Sequence, residues 1–360
     1  MTTPLDQIIW AQIQEKGPMP LDEFMNLALM HPEHGYYQRA NPLGAKGDFI
    51  TAPDISQMFG ELIGLWCVDC WVKLGAPNKF ILAEVGPGQG TLMQDALRSA
   101  SLVPEFLEAA DIHLVEGSRK LQTVQQATLR DYTVTWHQSI QDLPSDLPLI
   151  LIGNEFLDAL PIRQFEATED CWLERKVALL DTALTLVTEP VADVRTNTEL
   201  PSISGIEKGV IFELPAAAMD VVKDLALRLS NQNGVALFID YGPMESGFGD
   251  SFQAVKNHKF VDPLANPGSH DLTAHVDFAK LASVAKKQGC SPTPIATQGR
   301  FLERLGIEAR ALSLSRNADE ATKKRITEDL KRLVSNSGMG TLFKAFSFHH
   351  GMNEGPAGFS

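Results

Sequence analysis

The chain reads as an α/β protein: a parallel, doubly wound sheet preceded by an N-terminal helical region and interrupted by a β-rich insertion. Three observations predict this. Residues 80–91, FILAEVGPGQGT, run from an apolar stretch through a glycine-rich turn into helical spacing at Leu92, Met93, Ala96 and Leu97. Apolar runs at 111–116, 149–152 and 235–240 alternate with helical patterns at 118–130 and 216–229, as parallel strands joined by crossover helices do. Between 162 and 214 the period changes to short alternating strands such as CWLERKV and ALTLV.

Taken in order, residues 1–74 form a helical cap. An amphipathic helix over 5–16 is followed by a second helix starting at Leu21, after Pro18 and Pro20, then by the loop HPEHGYYQRANPLGAKGDFITAP and a buried helix in ELIGLWCVDCWVKLG. Residues 75–162 supply the first half of the α/β core, including a short strand at 132–136. Residues 163–214 are the insertion, read as the substrate region, with a flexible, acidic, Pro-containing link near 188–205. Residues 215–300 complete the core, and 301–360 add helices and a final core strand. Neither repeats nor low-complexity tracts interrupt this order.

Composition narrows the function. With 360 residues, 44% hydrophobic and 21% charged, the chain can bury a large core, and a disordered protein is excluded. A net charge of -14 without any run of Lys or Arg argues against nucleic acid and favours basic targets. No apolar stretch approaches the ~20 residues of a membrane span. The N-terminus carries Asp6 and Glu15 against Lys16, unlike a secretory signal or an Arg-rich transit peptide, so a cytoplasmic location is expected. Four cysteines make no disulfide framework. Cys67 and Cys70 are spaced C-x-x-C without a second pair, Cys171 and Cys290 stand alone, and the pair is read as core rather than redox or zinc chemistry.

The turn after 80–85 carries the strongest chemical signal. Gly86, Gly88 and Gly90 let the chain reverse while its backbone approaches a ligand closely. A dinucleotide fingerprint wants a small residue where Thr91 stands. Glu84 would repel a phosphate but suits an ammonium or a sulfonium, and S-adenosylmethionine carries both. Glu116, at the end of the next strand, lies where such sheets hold ribose hydroxyls. S-adenosylmethionine is therefore the expected cofactor, with a dinucleotide or no ligand as alternatives. Ligands of such sheets sit at the switch point beyond the strand ends, and the neighbouring run LILIG breaks there into Asn154 and Glu155, with Asp158 three residues on. Those groups either face the reactive end of the cofactor or cap a helix that starts there.

HPEHGYY, GDFITAP, EVGPGQGTLMQDALR, NEFLDALPIRQF, IDYG, VDPLANPGSHDLTAHVDF and MGTLFK occur in that order through most of the chain. This ordered set resembles the MidA-like S-adenosylmethionine-dependent methyltransferases, relatives of the mitochondrial complex I assembly-factor arginine methyltransferase. The resemblance implies a class I (Rossmann-like) methyltransferase fold and, for the mitochondrial relatives, symmetric dimethylation of an arginine in a complex I subunit. Gln89, where many relatives have Arg, and Pro243, where His is common, depart from the pattern at the pocket rim. Carried over by resemblance, Glu84, Gly86, Gly88, Gly90 and Thr91 hold the amino-acid part of the cofactor and Glu116 the ribose. Asp48 and Thr51 close the pocket, unless GDFITAP is only a connecting loop, and Trp136, Ser139 and Ile140 meet the adenine.

Methyl transfer from a sulfonium is an in-line displacement, which requires positioning and exclusion of water but no metal. An arginine guanidinium is protonated at pH 7 and its nitrogens are poor nucleophiles. Carboxylates aimed at two nitrogens draw the charge away and leave the third to attack. Glu155 and Asp158 are the candidates, with Asn154 as orienting partner. His258, His270 and His275 cluster with Asp262, Asp271 and Asp277, and a metal site is one reading. The preferred one has Asp271 or Thr273 capping the following helix and His275 at the substrate mouth. His31 and His34 are read as structural. Three functions remain open: a protein arginine methyltransferase, a methyltransferase for a small molecule or another residue type, and a noncatalytic assembly factor retaining a cofactor pocket. A protein substrate with a target arginine is the expected partner, and a homodimer stays open.

Overall fold

The computed structural model describes residues 2–38, 51–256 and 259–359. Asp48 and His258, singled out above, lie outside the described residues. Seven strands define the central sheet: β1 (Phe80–Val85), β2 (Ala110–Val115), β3 (Val134–His137), β4 (Leu149–Asn154), β5 (Gly234–Tyr241), β6 (Ser291–Pro292) and β7 (Phe343–His350). Their spatial order is β3-β2-β1-β4-β5-β7-β6, and a short strand at Ala296–Thr297 adds to β7. The first five strands are parallel, and β1 and β4 are buried at every residue, which is why they read as unbroken apolar runs. The sheet is mixed rather than wholly parallel, because β7 runs antiparallel to β5 from Gly234↔His350 to Tyr241↔Phe343.

Successive strand residues feed opposite faces. Leu82, Ile152 and Leu237 pack with Phe59, Trp66 and Phe301 on one side, while Ile81, Leu151 and Phe238 pack with Leu225 and Phe278 on the other. The first face is covered by α3 (Gln57–Lys73) and α4 (Thr91–Ala100), after the N-terminal helices α1 (Pro4–Lys16) and α2 (Leu21–Met30). Close contact of α3 with α4 depends on Gly64, where a Cβ would lie 2.3 Å from the Ala96 carbonyl oxygen. Further core helices include α5 (Arg119–Thr128), α6 (Ala216–Gln232) and α7 (Phe278–Lys287), and the C-terminal helices Gln298–Arg304, Ile307–Ser315 and Glu320–Val334 pack on the first face through Phe301, Ile307 and Leu333.

A second, antiparallel sheet takes strands Arg163–Ala167, Trp172–Leu180, Ala183–Pro190 and Ile211–Leu214 together with Met19–Pro20. Leu5, Ile9 and Phe24 share a core with Ile162 and Val177, so the N-terminal helices are anchored on this sheet. The link near 188–205 is not the unstructured segment expected: the strand continues to Pro190, a helix spans Val194–Glu199, and the Trp172 indole donates to the Pro201 carbonyl at 2.9 Å. A three-stranded sheet of Gln253–Lys256, Lys259–Val261 and Asp271–Thr273 completes the fold. Asp271 and Thr273 therefore lie in a strand and cap no helix. The cap of α7 is Asp277, which accepts from Lys280 N.

Candidate functional site

Register places the site. Glu84 pairs with Leu114 on one side and Ile152 on the other, and Ile239 pairs with Asn154, so the C-terminal ends of β2, β1, β4 and β5 finish level. Each end carries an acid: Glu116, Glu84, Glu155 and Asp240. Above them lies a cavity of about 660 Å³, within the size of ordinary small-molecule sites. Its lining includes Thr51, Asp54, Glu84, Gly86, Gly88, Thr91, Glu116, Ser139, Ile140, Asn154, Glu155, Asp158 and Asp271. Arg332 is the one basic side chain among the described lining residues.

The glycine turn has the geometry its sequence implies. Gly86, Gly88 and Gly90 have φ of 63°, 53° and 81°, a left-handed region costly for side-chain-bearing residues. The carboxylates are deeply buried. Burial, with Glu116 nearby, pushes the Glu84 carboxyl up to about 8, and its Oε2 has no hydrogen-bond partner among the described residues. Burial likewise raises Glu116, whose oxygens accept from Ser118 N (2.7 Å) and Gln125 Nε2 (3.0 Å). Such groups are stabilised in their charged form by a cation and left costly without one.

Beyond β4 the chain makes no helix, which removes the capping reading of Asn154 and Asp158. Glu155 sits at φ 51°, and Phe156, Leu157 and Asp158 donate their amides to Asp240 Oδ2 at 3.1, 2.8 and 3.2 Å. Those three bonds fold residues 155–158 back over the strand ends. Glu155 Oε1 accepts from Ala52 N (3.1 Å) and Asn154 Nδ2 (3.0 Å), so the end of the GDFITAP segment meets the acid directly. Burial pushes Glu155 up to about 8, with the Asp158 charge adding to the shift, and burial pushes Asp158 up to about 7. Among the described residues the buried Asn154 Oδ1 has no hydrogen-bond partner. Tyr241 bonds to Asp158 and Thr273, and Gln253 Nε2 donates to its hydroxyl at 3.3 Å. Tyr37, also lining the cavity, donates to Asp271 Oδ1 at 3.3 Å.

Not every expected residue lines the cavity. Gly90 starts α4 behind the wall, and the Trp136 indole N–H is taken by Gln125 Oε1 at 2.9 Å. His275 lines a separate cavity with Glu213 and Lys344, not this one, and His31 Nδ1 accepts from Glu33 N and His34 N in its own turn. Among the described residues no group of His, Cys, Asp and Glu is arranged to hold a metal ion. Cys67 and Cys70 are buried thiols raised by burial, as core residues are.

Two residues that motif reasoning passed over are central. Gln125, fully buried on α5, donates through Nε2 to the Gly88 carbonyl (2.8 Å) and to Glu116, and so ties the glycine turn to the ribose-side acid. Asp240 shapes the 155–158 loop as described; only its place in IDYG drew attention to it. Asp54 adds a further acid, accepting from Thr51 Oγ1 (3.1 Å) and Thr91 Oγ1 (3.4 Å). The orphaned Glu84 and Asn154 oxygens, the open glycine turn and the acidic lining fit a nucleoside bearing positive charge.

The sequence model of a family described as S-adenosyl-L-methionine-dependent methyltransferases matches residues 62–295. The chain is 34% identical to the mitochondrial protein arginine methyltransferase NDUFAF7 of Xenopus tropicalis over 93% of this chain and 83% of that protein. It is 35% identical to the Danio rerio protein of the same name, over 94% and 85%. A crystal structure of a COG1565 superfamily member from Burkholderia thailandensis bound to S-adenosyl-homocysteine superposes with a TM-score of 0.85 at 26% identity, covering 98% of this chain and 93% of that one. The cytoplasmic location expected above is corrected by these relatives, which are mitochondrial by name. Targeting is written in cleavable or receptor-read signals that take no part in the fold, so the composition of a folded chain does not record its compartment. With the family match across most of its length and curated relatives above 30% identity, the chain belongs to the S-adenosyl-L-methionine-dependent methyltransferases.

Proposed function

We propose that the protein methylates a guanidinium nitrogen of an arginine in a protein substrate. The observation that carries this reading is the convergence of Glu84, Glu155 and Asp158, three buried carboxyls raised by burial, in a cavity whose described lining has a single basic side chain. One cavity then accommodates two cations. Bound S-adenosylmethionine supplies a methyl group on a positively charged sulfur and leaves as the neutral thioether.

In this reading Glu84, Gly86, Gly88 and Thr91 hold the amino-acid end, with Gly90 shaping the turn from behind, and Glu116 takes the ribose hydroxyls with Gln125 fixing its orientation. Ser139 and Ile140 face the adenine, and Trp136 acts through Gln125 rather than by contact. Thr51 closes the site from the N-terminal side. Glu155, oriented by Asn154 and the Ala52 amide, draws guanidinium charge toward its oxygens and leaves another nitrogen with a usable lone pair. That nitrogen forms the new N–C bond and sheds a proton, which Asp158 is poised to accept with a carboxyl near 7. The names of the NDUFAF7 relatives support a protein arginine as acceptor. A respiratory complex I subunit, expected from the resemblance, is the first substrate to test.

Purified protein with tritiated-methyl cofactor and lysate from cells lacking the gene tests the proposal. Label is expected in methylarginine after hydrolysis of the protein fraction. Label only in small molecules, or cofactor binding without turnover on any fraction, overturns it.

A further inference from the structure

The mouth of the acidic cavity is apolar. Met30 at the end of α2, Phe260 in the strand Lys259–Val261, and Leu342 at the end of the helix Met339–Leu342 all line the same cavity as the carboxylates. They are nevertheless 46%, 77% and 54% exposed. Scattered exposed apolar residues need no explanation, but three from separate elements ringing one opening form a patch, and such patches mark interaction sites. All three residues of Lys259–Val261 are exposed, and the strand lies at the end of its sheet, paired only with Gln253–Lys256 among the described residues.

The geometry points to an extended polypeptide segment as the occupant, with its arginine in the acidic cavity and large apolar side chains on the flanking residues seated on Met30, Phe260 and Leu342. This rests on the arginine reading above and adds a sequence preference to it. Charge complementarity places the cation below, where Glu155 and Asp158 lie. The rim takes what surrounds the cation, and a free guanidine compound would leave it bare. The end strand at Lys259–Val261 offers backbone groups to an extended chain, the usual way a peptide adds to a sheet edge.

The test uses the full chain and two arginine-centred peptides, one flanked by Leu and Phe and one by Ser and Gly. Binding is read by fluorescence anisotropy without cofactor, and KM and kcat with it. The apolar-flanked peptide is expected to bind roughly tenfold or more tightly, the scale of burying one large side chain. Phe260→Ser and Leu342→Ser, at exposed positions that keep the fold, are expected to erase that preference through Kd and KM while kcat stays within about twofold. Equal binding of both peptides, or unchanged KM in both variants while arginine is still methylated, overturns this inference and leaves the function standing. A change of oligomeric state in Phe260→Ser with unchanged peptide binding assigns the patch to a second copy of the chain and also overturns it. Failure to methylate either peptide, with label only in small molecules, removes the arginine reading and this inference with it.

Discussion

Asp240 is the sharpest place to perturb the account, because one side chain holds the whole 155–158 segment. Its Oδ2 accepts three consecutive amides and its Oδ1 accepts Tyr241 N at 2.9 Å, all at a residue 1% exposed. In Asp240→Ala the amides of Phe156, Leu157 and Asp158 lose their acceptor. Each buried orphan costs about 1–3 kcal/mol, so the loss is roughly 3–9 kcal/mol before the loop relaxes. That is comparable with the whole stability of a typical domain, ~5–15 kcal/mol. Asp240→Asn keeps one acceptor oxygen and is expected to cost only about 1–2 kcal/mol, lowering Tm by a few degrees. Glu84 and Glu116 stand on other strands, so cofactor Kd in Asp240→Asn should stay within about threefold while kcat falls more than tenfold as Glu155 and Asp158 lose their placement. Differential scanning calorimetry, cofactor titration and single-turnover rates on both variants check this. Wild-type kcat in Asp240→Asn, or an undiminished Tm in Asp240→Ala, would refute the reasoning.

Further outcomes follow from the same geometry. Glu155→Gln should hold cofactor affinity within a few-fold yet slow methylation roughly 100-fold, the scale of losing one preorganised electrostatic partner; full single-turnover activity would remove Glu155 from the chemistry. Gly88→Val forces a branched residue into φ 53° at the ligand turn, so calorimetry should show cofactor binding abolished, and wild-type affinity would sink the pocket assignment. With Glu155 near 8 and Asp158 near 7 in the unliganded protein, kcat/KM should rise with pH from about 6 to about 8 as the carboxylates ionise. The sign for stability is opposite. Glu84 and Glu155 ionise more readily in the unfolded chain, near 4.5, than in the fold, near 8. Their burial therefore costs the unliganded protein stability as pH rises across that window. A cationic ligand reverses this by favouring the ionised form, so cofactor binding at pH 7 should release up to about one proton per buried acid it contacts, measurable by calorimetry in buffers of different ionisation enthalpy. Proton uptake, or a flat rate profile, would contradict the assignment.

Much of the fold was legible because its decisive strands are buried on both faces. Residues 80–85, 149–154 and 234–241 appear in the sequence as apolar runs, and the glycines of the turn carry their backbone requirement openly. What escaped was non-local. The segment after Asn154 resembled a helix start because its polar spacing is that of a cap, but its amides are claimed by Asp240 more than 80 residues away. Asp271 and Thr273 looked like caps of α7 because a three-residue strand has too short a period to register; the cap is Asp277. Gln125 reads as an ordinary polar residue on a surface helix, and only the fold shows it between Gly88, Glu116 and Trp136. The acids at the strand ends could be named from the strand ends alone, whereas their orienting partners required knowing which loops return to them.

A crystal structure of the protein with S-adenosylhomocysteine and an arginine peptide tests the central claim, that one acidic cavity holds nucleoside and arginine together, most directly. The account expects the ribose on Glu116, the amino-acid end over the glycine turn, and guanidinium nitrogens within about 3 Å of Glu155 oxygens, with the peptide chain leaving across Phe260. An adenosine bound elsewhere, or a guanidinium seated away from Glu155 and Asp158, would contradict it.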